Sequence, residues 1–98
     1  MAHPANVTDS DATLILNMGA LDGGTLETAK FAKTFGKPYL ILQLDCGVRN
    51  EDVQQLLDWL QHESIGTLNI AGPRESKRPG MYALTCELLD CAARSARL

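Results

Sequence analysis

The sequence predicts an α/β fold built on a parallel sheet, and three observations carry that prediction. Three short apolar runs recur along the 98 residues. Each is followed by a segment whose apolar residues fall at helical spacing. Each junction between run and helix is short and polar, two of them rich in glycine. Continuous rather than alternating apolarity marks strands buried on both faces, and strand–helix alternation with short connections marks parallel strands joined by right-handed crossovers.

The first run is Ala12 to Asn17, and the loop Met18 to Gly24 follows it. A helix is expected from about Thr25, with Thr28, Phe31, Ala32 and Phe35 on its buried stripe and Glu27, Lys30 and Lys33 in solvent. Gly36 and Pro38 end it. The second run is Tyr39 to Leu44, with Asp45 to Arg49 as its exit loop. Asn50 is the expected N-cap of the second helix, and Glu51 and Asp52 suit its first turn. Val53, Leu56, Leu57 and Leu60 form its stripe, and it frays around Glu63 to Gly66. The third run is Thr67 to Ala71, the loop Gly72 to Arg78 follows, and Pro79 is placed to open the third helix. Met81, Leu84, Thr85, Leu88, Leu89, Ala92 and Ala96 give that helix a wide apolar face, with Cys86 and Cys91 read as small core residues. The whole reads as one three-layer, Rossmann-like domain over residues 1–98, a partial fold of about three parallel strands in βαβαβα order, with 1–11 as a flexible N-terminal segment.

Composition narrows the function classes. Hydrophobic residues make up 45% and the formal net charge is -3, which argues against a general nucleic-acid or membrane-surface binder. The three cysteines, Cys46, Cys86 and Cys91, form no C-x-x-C pair, so neither a zinc knuckle nor a disulfide framework is expected. Reduced thiols fit a cytoplasmic location. The N-terminal residues show no basic-then-apolar pattern, so no signal peptide is expected, and no run is long enough to span a bilayer. A strand order of one, two, three would put both crossover helices on one sheet face and leave the first strand an exposed edge. Self-association is therefore expected, either as a homo-oligomer or with a second chain covering the open face.

Ligands of open parallel sheets bind beyond the carboxyl ends of the strands. Two loops there have suitable chemistry. Gly23, Gly24 and Thr25 open a helix, where free N–H groups and the helix dipole favour an anion and the Thr25 hydroxyl adds a donor. Gly72 to Gly80 combines two prolines with three cations: Arg74 can form a forked bond to phosphate or carboxylate, Lys77 supplies a point charge, and Ser76 can cap the next helix or donate to a ligand oxygen. Glu75 could instead pair with Arg74 or Lys77. His3 and His62 are isolated, and Trp59 reads as a partly buried rim residue. Asp22, Glu27 and Asp45 are the acids near this edge. No catalytic set and no metal-ligand set is evident, and the G-x-G-x-x-G fingerprint is absent.

The stretch Asp9 to Leu16, the Gly23-Gly24-Thr25 turn, Gly36-Lys37-Pro38 and Leu68 to Ser76 together resemble the "putative molybdenum carrier" family, in order and to about Tyr82. The Ala71-Gly72-Pro73-Arg74-Glu75-Ser76 element is the specific part. The family is similar to the wider Rossmann-like superfamily that includes the cytokinin-activating LOG enzymes. The resemblance implies a parallel sheet with a nucleotide or molybdopterin-type cofactor at its carboxyl edge. Members are usually longer, with an earlier half carrying a Gly-Gly-x-Thr-Gly loop, and this chain is expected to begin where that half ends. LOG catalysis uses Pro-Gly-Gly-x-Gly-Thr-x-x-Glu after Pro-Arg-x-x-Lys. Here Pro73 to Lys77 comes after the glycine turn, and Glu27 lies two positions beyond Thr25 rather than three. The expected function is thus non-catalytic binding of a phosphate-bearing small ligand by Gly23, Gly24, Thr25, Arg74, Ser76 and Lys77. A LOG-like nucleotide N-glycosidase using Glu27 and a degenerate half-fold that only dimerises are the rival expectations.

Overall fold

The computed structural model describes residues 4–96. Its strands are β1 (Ala12–Asn17), β2 (Tyr39–Gln43) and β3 (Leu68–Ala71), and its helices are α1 (Pro4–Asp9), α2 (Gly23–Thr34), α3 (Asn50–Glu63) and α4 (Met81–Ser95). The strands are parallel and ordered β2-β1-β3. Thr13 to Asn17 pair with Tyr39 to Gln43 on one side, and Ala12 to Ile15 pair with Leu68 to Ala71 on the other.

This order is not the one, two, three order on which the argument for an open sheet face rested. β1 is central, not an edge, and all six of its residues are buried. Leaving β1 in one direction and crossing back over it in the other, two right-handed crossovers put α2 and α3 on opposite faces. The core divides accordingly, following the period-2 alternation of β1. Leu14 and Leu16 pack with Leu42, Leu44, Val53, Leu56, Met81, Leu88 and Ala92 beneath α3 and α4. Ile15 packs with Ala29 and Ala71 beneath α2. Helices thus cover both faces, and the open-face argument for self-association no longer holds; only the two sheet edges remain.

Several local expectations are also corrected. Part of the segment 1–11 is helical: α1 packs on α2 and buries Val7 completely, while residues 1–3 lie outside the described residues. Two residues of the predicted stripe of α2 sit differently, with Phe35 exposed and Phe31 half-buried and stacked on it, while Thr25, Thr28, Ala29 and Ala32 are buried. Arg49, not Asn50, caps α3, and the Asp52 carboxylate accepts the Arg49 backbone N–H at 2.9 Å. Helix α4 starts at Met81 behind Gly80, two residues later than Pro79 suggested. Cys86 is exposed, whereas Cys91 packs half-buried against the core.

The sheet is tied at its N-terminal end by Asp11. Its carboxylate accepts the N–H groups of Gly66 and Thr67 at 2.9 and 2.8 Å, which fixes the turn that leads into β3. These bonds hold the Asp11 carboxyl below the usual carboxylate range.

Candidate functional site

Because β1 is central, its exit loop leaves toward α2 while the loops after β2 and β3 leave toward α3 and α4. A crevice therefore opens on each side of the β1 carboxyl end, the place where ligands enter open parallel sheets.

Side chains fill the crevice between β1 and β2. Buried Asn17 donates from Nδ2 to the Gly19 carbonyl at 3.1 Å and to Gln43 Oε1 at 3.2 Å. Gln43 Nε2 donates to Asp45 Oδ2 at 2.9 Å and also to the Gly19 carbonyl. Asp45 Oδ1 accepts the Gly19 N–H at 2.7 Å. The Gly19 N–H, followed by Gln43, draws the Asp45 carboxyl below its ordinary range. Asp45 is therefore a structural clasp on this side.

The crevice between β1 and β3 is open. It is a cleft of about 370 Å³ lined by Gly24, Thr25, Gly72, Pro73, Arg74, Ser76 and Lys77. Five of the six residues singled out from sequence line it, and Gly23 lies just beside them, where a Cβ would come within 3.1 Å of Lys77 Nζ. Gly72 and Pro73 complete the floor. The requirement at Gly72 is close approach: a Cβ there would stand 2.5 Å from the Leu16 carbonyl oxygen of β1. Only a glycine lets the third loop turn directly off the sheet at this level.

The two loops are latched to each other. Asp22 precedes α2 in extended conformation but makes no side-chain cap bond. Its carboxylate pairs instead with Lys77 Nζ and, at 3.9 Å, with Arg78 Nη2. Lys77 first, and Arg78 with it, hold the Asp22 carboxyl below the usual range. Arg78 Nε also donates to the Met18 carbonyl at 2.8 Å. Glu75 pairs with neither Arg74 nor Lys77. It accepts the N–H groups of Gly80 and Tyr82 at 2.7 and 2.8 Å, capping α4, and those bonds lower its pKa. Glu75 thus takes the capping role open to Ser76 in the sequence.

The latch leaves a particular set of groups free. The first N–H groups of α2 have no intrahelical acceptor and no side-chain cap. Among the described residues, the Thr25 and Ser76 hydroxyls and the Arg74 guanidinium take no hydrogen bond or ion pair. Donors without acceptors thus converge from both loops, and among the described residues no carboxylate lines the cleft. Glu27 is exposed on α2, outside that lining. Among the described residues no group of three or more His, Cys, Asp or Glu is placed so that it could hold a metal ion. His62 lies outside the cleft, in an open groove with Leu40, Glu51, Asp58 and Trp59.

Sequence reading missed Asn17, Gln43, Asp22 and Arg78 as organisers of this edge. Asn17 and Gln43 carry a visible signal, since Asn17 closes one apolar run and Gln43 interrupts the next just before its end. The pairing of Asp22 with Lys77 joins residues far apart in the chain and has no local signature.

Comparison with known proteins agrees with this architecture. No curated protein matches the chain. A crystal structure from Syntrophus aciditrophicus, named "Putative molybdenum carrier protein", is 39% identical and superimposes with a TM-score of 0.87, covering 91% of this chain and 56% of that one. The chain thus spans little more than half the length of that neighbour. Residues 3–93 match the circularly permutated YpsA SLOG family, and the chain belongs to that family.

Proposed function

We propose that this protein binds a phosphate-bearing small molecule, a nucleotide or a molybdopterin-type cofactor, in the β1/β3 cleft and does so without catalysis. The observation that carries the reading is the convergence of unpartnered donors: the start of α2 on one wall, Arg74 and Ser76 on the other, with no carboxylate of the described residues between them. The N–H groups of Gly23, Gly24 and Thr25 hold phosphate oxygens with the favourable dipole of the helix start. Arg74 adds a forked charged bond, and the Thr25 and Ser76 hydroxyls take remaining oxygens. Lys77 contributes positive potential while anchored on Asp22. The donor set is hard and anion-seeking, so a phosphate-bearing carrier is the form in which it would hold molybdenum. The exposed position of Glu27 favours binding over N-glycosidase chemistry. We place the protein in the cytoplasm, in keeping with its three free cysteines; no described helix is long and apolar enough to cross a membrane.

Titration with AMP as the probe tests the reading. Arg74→Ala is expected to weaken binding by about 1.5–3 kcal/mol, roughly ten- to 150-fold, the range for a hydrogen bond to a charged group. Unchanged affinity in that variant overturns the assignment. Release of adenine during the incubation would point to the N-glycosidase instead.

A further inference from the structure

We propose that the β3 edge and the adjoining flank of α4 form a docking surface for a second copy of this chain, in an antiparallel two-fold arrangement of the α4 helices. The observation behind it is an apolar face on α4 wider than the sheet can cover. Met81, Leu88 and Ala92 are buried in the core, and Leu84 and Cys91 pack half-buried beside them. A second stripe, Tyr82, Cys86, Leu89 and Ala93, is exposed. At 100° per residue these four positions fall within about 60° of arc, and none carries a charge. Glu87, Asp90 and Arg94 lie further round the helix, where Arg94 pairs with Asp90 at 2.9 Å. The stripe continues through Thr85 to Ile70 on β3, a strand whose outer side has no neighbour in the sheet. Of the exposed large hydrophobic residues, Ile70 (40%), Tyr82 (74%) and Leu89 (37%) gather on this one flank.

The order of residues along the stripe identifies the occupant. From one end to the other it reads large, small, large, small. Two copies running antiparallel about a point between Glu87 and Leu88 set Tyr82 against Ala93 of the other copy and Leu89 against Cys86. Every large side chain then meets a small one, and each contact occurs twice, as an isologous interface requires. No like charges meet across the axis. The opposite edge differs: the groove beside β2 is lined by Glu51, Asp58 and His62 with Leu40 and Trp59. Charges of that kind keep an edge from pairing.

The flank adjoins the cleft through Gly72 and Pro73 but includes none of the proposed ligand-binding side chains, so it is tested without any ligand. Light scattering up to sub-millimolar concentration is expected to report a dimer for the wild-type chain and a monomer for Leu89→Arg. Circular dichroism checks that the variant folds, which the exposure of Leu89 favours. The register is tested by mixing two proteins, both in a Cys46→Ser, Cys91→Ala background, under mild oxidation. A disulfide needs Cβ atoms about 3.5–4.5 Å apart, and like positions lie about 4.5 Å further along the axis than the paired ones. One retains Cys86; the other carries Cys86→Ser with Leu89→Cys. A cross-linked dimer is expected in the mixture and not from either protein alone. A monomeric wild type overturns the proposal, as does a dimer that survives Leu89→Arg or that cross-links without regard to the mixture.

Discussion

Replacing Gly72 with alanine probes the junction between sheet and cleft. The added Cβ would sit 2.5 Å from the Leu16 carbonyl oxygen. Carbon–oxygen contacts settle at about 3.3 Å or more, so the third loop or β1 must yield by nearly an ångström. β1 is buried along its whole length, and the loop is the part that can move. Forcing an extra carbon into packed structure costs about 1–3 kcal/mol. For a chain of this size that lowers the thermal midpoint by roughly 4–24 °C. Moving the loop also moves Pro73, Arg74 and Ser76, so AMP affinity should fall with stability. Gly36→Ala is the matched control: Gly36 adopts a φ of +68° at the end of α2, and nothing stands within 4 Å of its added Cβ. It should lose stability through backbone strain of about 1–2 kcal/mol and keep its affinity. The assay is a thermal melt and an AMP titration on both variants. Wild-type stability and affinity in Gly72→Ala would refute the reasoning, and so would equal loss of binding in both.

Asp22→Asn removes the anion that holds Lys77 at the mouth of the cleft. AMP should bind several-fold tighter and with a steeper salt dependence, because Lys77 is released and a repelling carboxylate is gone; weaker binding by calorimetry would show that the latch positions the loop rather than restraining it. Acid should loosen this edge of the protein. The folded-state carboxyls of Asp11, Asp22, Asp45 and Glu75 all lie below their ordinary values, so their stabilisation is full above the unfolded values of about 4 and is lost as pH falls through the depressed ones. Thermal midpoints should hold steady down to about pH 5 and decline below about pH 4, whereas a midpoint constant through that range would contradict these contacts.

The three strands and the helices that follow them were legible because each states its own physics locally, whereas α1, a helix of six residues, was read as part of a flexible segment. β1 reads as Ala12 to Leu16 without interruption because it is covered on both faces, and the two crossover helices declare themselves by period. Strand order was not legible. Nothing in the runs themselves says that β1 sits between β2 and β3, and that placement decides which faces are covered. The cleft was largely visible in the Gly23 to Thr25 and Arg74 to Lys77 segments, since glycine before a helix and cations in a rigid loop are local features. Their division of labour was not visible. Lys77 and Arg78 turn to Asp22, and Glu75 turns to α4, through contacts that exist only once both loops leave neighbouring strands. Cys86 was misplaced for a related reason: helical periodicity shows how wide an apolar face is, but not how much of it the sheet can cover.

The central claim is that a phosphate-bearing ligand sits in the β1/β3 cleft. Backbone amide shifts of the uniformly labelled protein, followed during titration with AMP, test it most directly. The account predicts that the largest changes fall on Gly23, Gly24 and Thr25 and on Gly72 and Arg74 to Lys77, with Gly19 and Asp45 little affected. Saturable changes centred instead on the groove of Leu40, Trp59 and His62, or no saturable change at either loop, would contradict it.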